Sequence, residues 1–323
     1  MVDYLIIGCG LSGIVLAERL AGKDKQIAIV DKNSHIGGLC YDSIDERSRI
    51  RYGNYGVHIF HTGNSTIFNY LLQFTNWNHY QHKVLSYVNG VFSPFPPSLD
   101  TPNLQRDFFD GYTAKQWGEY HKRLLSEVTD RIKTRVGNDE RYFSDRYQGV
   151  PLNGYTEMFK RMLSSKNISI VLNTDYRKIV DEIKFNRLIV TSSLDNFFDY
   201  IYGRLPYRGI YFEHRLVDVE FYQPALQINY PNDYDFTRIL EWKYLDSQKT
   251  HNTLITFEYP ITSIGDKDYY PVLTKDSLAL CQKYQLLAGK EKNTFFCGRG
   301  AQFKYLNMDK AVENAFQLIN TEL

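Results

Sequence analysis

Residues 4–38 (YLIIGCGLSGIVLAERLAGKDKQIAIVDKNSHIGG) constrain the fold more than any other part of this chain. A short apolar run at 4–7 leads into Gly8-Cys9-Gly10-Leu11-Ser12-Gly13, a helix-forming segment follows over 12–21, and a second apolar run at 27–30 ends on Asp31. Strand, G-x-G-x-x-G turn, helix, strand and acid in that order form a dinucleotide-binding βαβ fingerprint. Gly8 makes the tight turn, Gly10 lets the backbone approach a pyrophosphate, and Gly13 lets helix and strand pack closely. The N–H groups at the helix start are placed to hold the pyrophosphate, and Asp31 to accept the ribose hydroxyls of an adenosine.

Gly37 and Gly38 follow a few residues past that acid and supply a second close backbone approach, which suits a long cofactor lying extended through the domain. In this respect the segment resembles FAD-binding oxidoreductase-type chains more than NAD dehydrogenases. A net charge of +1 gives no reason to expect nucleic acid or an anionic membrane as partner. No apolar run is long enough to span a bilayer. Asp3 precedes the N-terminal apolar run and Glu18-Arg19 interrupt it, which argues against a signal peptide. Cys9, Cys40, Cys281 and Cys297 show no metal-ligand spacing, so no metal site and a reduced, soluble, cytoplasmic protein are expected. The 26 Tyr and 20 Phe far outnumber the 3 Trp. Most such tyrosines fill sheets, but a surplus of flat rings that carry hydroxyls also suits a polar, ring-shaped ligand.

Further along, helices are expected around 65–74, 155–164 and 309–319, and a largely helical, highly charged stretch over 105–135. Asn89-Gly90 within VLSYVNGVF signals a hairpin, and the proline-rich residues 93–104 mark a boundary. Strand-like runs are expected at 168–172, 187–192 and 294–297, and the polar–apolar alternation from 208 to 259 reads as antiparallel strands. The expected architecture is therefore α/β, a Rossmann-like FAD-binding domain with an inserted antiparallel sheet and a reduced helical domain. The FAD-binding domain is assigned residues 1–80, 142–200 and 290–323. The sheet domain is assigned 81–100 and 201–289, and the helical substrate-capping domain 101–141.

Several further segments, in order, carry a more specific likeness: GVHIFHT (56–62), DFFDGYTAKQWG (107–118), YFSDRYQGVPLNGYT (142–156), FTRILEWKY (236–244), DYYPV (268–272) and GRGAQFKYLNMD (298–309). Behind the FAD fingerprint they closely resemble the bacterial UDP-galactopyranose mutase family, and the likeness covers nearly the whole chain. It implies an isomerase, in cell-surface polysaccharide biosynthesis, that interconverts UDP-galactopyranose and UDP-galactofuranose or a related nucleotide sugar without net redox change. It further implies reduced FAD, whose N5 attacks C1 of the sugar, expels UDP and forms an adduct in which the ring opens and recloses.

The resemblance assigns roles residue by residue. Arg299, Arg238, Tyr142, Tyr270 and Tyr305 match the diphosphate-binding arginines and tyrosines, arginine giving a bidentate fork to phosphate. Arg238 has a structural alternative in a pair with Glu241. Arg135, with Arg131 one turn earlier, matches an arginine on a loop that closes over substrate. Phe108, Phe109 and Tyr112, followed by Trp117, match the aromatic residues that hold uracil, although the same spacing also describes an apolar helix face. His58 and Arg299 belong with the cofactor as well, and Arg135, Arg299 and His61 are the catalytic candidates, His61 being expected to lie against the flavin ring and to shuttle a proton.

Three departures stand out. Only about a dozen residues separate the hairpin from DFFDGYT, where the family carries several dozen, so the cap is cut down and the family's dimer interface is not expected. Asn307 replaces an expected aspartate, removing a charge near the sugar or ribityl chain. Val190-Thr191-Ser192 replaces a Tyr-Thr-Gly beside the flavin. Two other functions remain open on these residues: a flavin oxidoreductase, and a protein that binds FAD and nucleotide sugar without turnover.

Overall fold

Val2–Ile7 is buried on both faces from Tyr4 onward, as a strand must be when helices cover both sides of a parallel sheet. In the computed structural model, which describes all residues except 131–133, 135, 136, 138, 247–249, 264, 266 and 267, it is the central strand of five. The order across this sheet is Thr294–Phe296, Phe185–Val190, Val2–Ile7, Ile27–Val30 and Ile168–Val171, with every pairing parallel. Leu11–Ala21 packs on one face against the last helix, Met308–Thr321, and against Tyr155–Met162. Ile14, Leu16 and Leu20 close this core with Phe159, Val312 and Ala315, all essentially inaccessible to water. Each such aliphatic side chain contributes about 1.5–3 kcal/mol through burial.

The second sheet has seven strands in the order Tyr270–Pro271, Tyr207–Val217, Thr253–Thr262, Arg238–Glu241, Gln227–Asn229, Val84–Val88 and Val91–Phe95. All its pairings are antiparallel except Gln227–Asn229 with Val84–Val88, which is parallel, so the sheet is mixed. Strand alternation divides the chain between two faces. Ile239, Ile255 and Phe257 join one cluster, while Leu240, Trp242 and Leu254 join another with Ile50. Arg238, Thr256 and Glu258 share the second face with Leu240 and Trp242.

The Asn89-Gly90 turn has φ of 52° and 82°, the pair of positive values a type I′ hairpin needs. Its register carries the second strand to Phe95, three residues into the stretch expected to be irregular. Pro94 is tolerated there because Val91–Phe95 lies at the edge of the sheet. The expected long helix over 105–135 is not continuous. A π-type turn Gln105–Asp110 runs into the α-helix Gly111–Trp117, and the helix ends at Gly118, whose φ of 56° reverses the backbone. Among the described residues that follow there are only short turns, Gly118–Tyr120 and Ser126–Thr129. The helix Lys275–Ala288 has no counterpart in the expectations. It buries only Ser277, Cys281 and Tyr284, a stripe too thin for hydrophobic periodicity, and a Thr274–Ser277 capping box sets its start.

Candidate functional site

The glycine turn, His58, Tyr207, Tyr269 and Arg299 line a cleft of about 370 Å³. One end is a backbone-built cradle. Gly8 has φ of +105°, and a Cβ there would fall 2.4 Å from Thr191 Oγ1. A Cβ on Gly13 would fall 2.1 Å from the Gly8 carbonyl oxygen, so the helix seats directly on the turn. Gly10 and Gly37 bridge the two loops, and a Cβ on Gly38 would lie 3.1 Å from Gly10 Cα. No side chain caps the helix Leu11–Ala21, which leaves its first N–H groups for a ligand. Asp31 lines the cleft, and its carboxylate accepts from the N–H of Cys9 at 2.6 Å and of Asn33 at 2.8 Å. It thus shapes the turn while retaining lone pairs for a ribose hydroxyl.

Ser192 lines the same cleft with its hydroxyl oxygen buried and without a protein partner. An orphaned hydroxyl, uncapped N–H groups and glycines that admit no side chain together fit an extended dinucleotide such as FAD. Thr191 is committed elsewhere, donating to the Ile7 carbonyl at 2.9 Å, and Val190 is wholly buried in its strand. Asn307 lines the cleft at the start of the last helix.

At the other end the site is made of side chains. Arg299 follows Gly298, whose φ of +93° turns the chain onto Ser12 of the first helix. Its guanidinium donates to the carbonyl oxygens of Leu306 (2.7 Å) and Tyr269 (3.3 Å) and stands 5.4 Å from the Tyr305 ring centre and 5.8 Å from that of Tyr270. These carbonyl partners orient the cation without neutralising it. Tyr270 and Tyr305 stack at 5.3 Å and 6° between planes, and Trp117 tilts against both.

Arg238 is differently placed. Its Nε donates to the Tyr112 hydroxyl at 2.6 Å, and Nη1 lies 3.3 Å from the buried carboxylate of Glu258, its cross-strand partner. Burial pushes the Glu258 carboxyl up, and Arg238 holds it down. Tyr112, Tyr270 and Tyr142 all lie within the field of this guanidinium. Glu241, the alternative partner for Arg238, instead accepts from the N–H groups of Tyr222 and Gln223 and from the Thr253 hydroxyl. Adjacent strand residues point to opposite faces, but Arg238 and Glu241 are three apart, so they too lie on opposite faces.

The aromatic stretch divides. Tyr112 faces Arg238, whereas Phe108 is buried with Val84, Val88 and Phe95, with Phe109 and Tyr142 partly covered beside it. The two histidines also separate. His58 lines the cleft, and burial together with the Arg299 charge pushes its imidazole down to about 4, so it is neutral at pH 7. His61 pairs its Nδ1 with Asp145 at 2.7 Å and stacks on Phe143 at 3.6 Å. Arg131 and Arg135 lie outside the described residues. Sequence reasoning did not single out Glu258, Tyr269 or Tyr55. Tyr269 lines the cleft and donates its hydroxyl to the Tyr55 carbonyl at 2.8 Å. Its neighbour in DYYPV was noticed, and Glu258 is signalled only by strand pairing. Among the described residues no group of three His, Cys, Asp or Glu could hold a metal ion, and no helix is long and apolar enough to cross a membrane.

A parallel sheet with a glycine cradle, facing an arginine–tyrosine chamber on a second sheet, defines an α/β enzyme of the dinucleotide-binding class. Residues 6–74 match the NAD(P)-binding Rossmann-like domain model, and residues 107–305 match the model of UDP-galactopyranose mutase. The chain belongs to the UDP-galactopyranose mutase family and is an isomerase of that type. It is 32% identical to a probable UDP-galactopyranose mutase of Klebsiella pneumoniae, over 98% of this chain and 93% of that protein. It is 30% identical to a dTDP-fucopyranose mutase of Escherichia coli, over 98% and 97%. The Klebsiella alignment spans 359 positions against 323 residues here, so that relative carries residues this chain lacks. A crystal structure of reduced UDP-galactopyranose mutase shares the fold, with a TM-score of 0.76 at 14% identity over 99% of this chain and 93% of that one.

Proposed function

We propose that the protein binds FAD along the cleft and, with the flavin reduced, interconverts the pyranose and furanose forms of a UDP-linked or closely related nucleotide sugar. The observation that carries this reading is the position of Arg299, oriented by carbonyl oxygens and with no ion-pair partner among the described residues, at the point where the glycine cradle meets the stacked tyrosines. The cradle residues Gly8, Gly10, Gly13, Gly37 and Gly38 hold the cofactor's pyrophosphate region by backbone, Asp31 takes the ribose, and Ser192 supplies the orphaned hydroxyl. Bound and reduced, the flavin supplies a nucleophilic nitrogen for the anomeric carbon of the sugar.

The protein's own part is electrostatic and positional. Departure of a nucleoside diphosphate develops negative charge, and Arg299 with the hydroxyls of Tyr270 and Tyr305 is placed to stabilise it. Arg238, half-compensated by Glu258, fixes the diphosphate with Tyr112 and Tyr142. Trp117 closes the wall behind the tyrosine stack and excludes water. His58, held neutral by burial and by the Arg299 charge, offers the cleft a hydrogen-bonding ring nitrogen without a second cation. His61, Arg131 and Arg135 remain assigned by resemblance, His61 near the flavin and the arginines over the substrate.

Arg299→Ala tests this assignment. Turnover by the reduced enzyme should fall about 10²–10³-fold, the effect of removing one preorganised charge donor. Flavin content should stay near one per chain. Full activity in that variant would show that the diphosphate lies elsewhere.

A further inference from the structure

Lys115 is enclosed in a manner that nothing above uses. Its ammonium donates to the carbonyl oxygens of Tyr230, Asp233 (2.9 Å), Phe236 (3.0 Å) and Tyr234 (3.2 Å), all in one segment. The carboxylates of Asp233 and Asp235 lie within its field. An ammonium has three N–H donors, so four carbonyls leave nothing over for a substrate. The same segment also meets the turn Gln105–Asp110 and the first residue of the helix Gly111–Trp117. Asn232 donates its amide to the Asp107 carbonyl at 2.9 Å, and a Cβ on Gly111 would lie 2.4 Å from Asn232 Oδ1 and 2.6 Å from the Pro231 carbonyl oxygen. Arg208 holds the other end of the helix, donating to the Gln116 carbonyl at 2.9 Å.

What hangs from these two stapled pieces is the Tyr112–Arg238 pair. Tyr112 lies one turn before Lys115 on the same side of the helix, and Arg238 begins the strand that leaves the segment two residues after Phe236. We propose that Lys115 is a positioning residue: by locking residues 230–236 to the helix it fixes the Tyr112–Arg238 pair as an anion-binding unit, an inference that rests on the substrate reading above. The helix is what remains of a shortened cap, and the lysine makes that remnant a fixed wall of the site. A cage of carbonyl oxygens around a cation is also a site another small cation can enter once the lysine side chain is gone.

The test uses the full FAD-loaded chain, UDP as the calorimetric probe, and Lys115→Ala. UDP affinity should fall at least about tenfold, with KM rising and kcat at saturation changing less than about threefold. Propylammonium should restore affinity saturably, and amide exchange over 230–236 should accelerate in the variant. A folded Lys115→Ala protein that binds UDP within about twofold of the parent, or that propylammonium leaves unchanged, overturns the proposal. Should Lys115→Ala fail to fold, Lys115→Gln is read by the same criteria. If the parent itself binds no UDP, the substrate reading fails, and exchange over 230–236 alone decides the lysine's role: unchanged exchange overturns it.

Discussion

The glycine cradle and the arginine–tyrosine chamber, which meet at Arg299, are built on different principles. The cradle is made of backbone: Gly8, Gly10, Gly13, Gly37 and Gly38 matter for the side chains they lack, and all lie within one short stretch of sequence. The arginine–tyrosine chamber is made of side chains drawn from separated segments, Tyr112, Tyr142, Arg238, Glu258, Tyr270, Arg299 and Tyr305, brought together by sheet register and one stack of rings. A backbone site has no room to adjust. A side-chain site loses function by degrees, so substitutions at the two ends should behave differently.

The largest effect is expected at the cradle. Gly13→Val forces atoms against the Gly8 carbonyl, where a Cβ alone would already lie at 2.1 Å. Overpacking combined with the backbone shift it demands should cost about 3 kcal/mol or more and abolish flavin binding. The purified variant should be colourless, and a yellow, fully loaded Gly13→Val protein would break the contrast at once.

Next comes Arg238→Ala, which strands the Glu258 carboxylate in a buried position. Loss of one partner of a buried pair costs about 3–5 kcal/mol, and thermal melts should show it. Adding Glu258→Gln should return most of the stability but none of the UDP affinity. Recovery of both would mean that Arg238 is structural only.

The same contrast governs how much of the molecule is legible in its sequence. The expected elements at 4–7, 12–21 and 27–30 correspond to Val2–Ile7, Leu11–Ala21 and Ile27–Val30, because a buried βαβ unit writes its apolar runs and glycines contiguously. The Asn89-Gly90 hairpin was equally plain, since positive φ selects those residues. The helix Lys275–Ala288 was not, because its buried stripe is three residues wide. In the chamber the tyrosines and arginines were found through motif likeness, but Glu258 was not. Its role depends on a cross-strand register that no local pattern states. His58 and His61 are both visible in HIFHT, and only the fold separates the cleft-lining ring from the one facing Asp145.

Acid should report on the chamber in a graded way. Burial pushes His58 down to about 4, helped by Arg299, and His82 down to about 3, against a Gln227 hydrogen bond. Both lie below the ordinary histidine value, so the unfolded chain takes up protons first and stability falls as pH drops from about 6.5 toward 3. Above pH 7 these groups add no slope. His82→Asn should flatten melting temperature against pH over that acid window, and an unchanged slope would show that His82 is solvated in solution.

The smallest expected change is Tyr305→Phe. It keeps the ring stacked on Tyr270 and under Arg299 and removes only one hydroxyl donor. Loss of about 1 kcal/mol of phosphate contact corresponds to roughly a fivefold rise in KM. A hundredfold loss would instead make the hydroxyl part of the chemistry.

The most direct measurement is chromatography of UDP-galactofuranose and dTDP-fucofuranose incubated with the FAD-loaded protein, with and without dithionite. Conversion of at least one to its pyranose form by the reduced protein alone, with no nicotinamide consumed, is the predicted result. Net oxidation of a sugar, or tight UDP binding with no conversion of either compound in the reduced state, would contradict it.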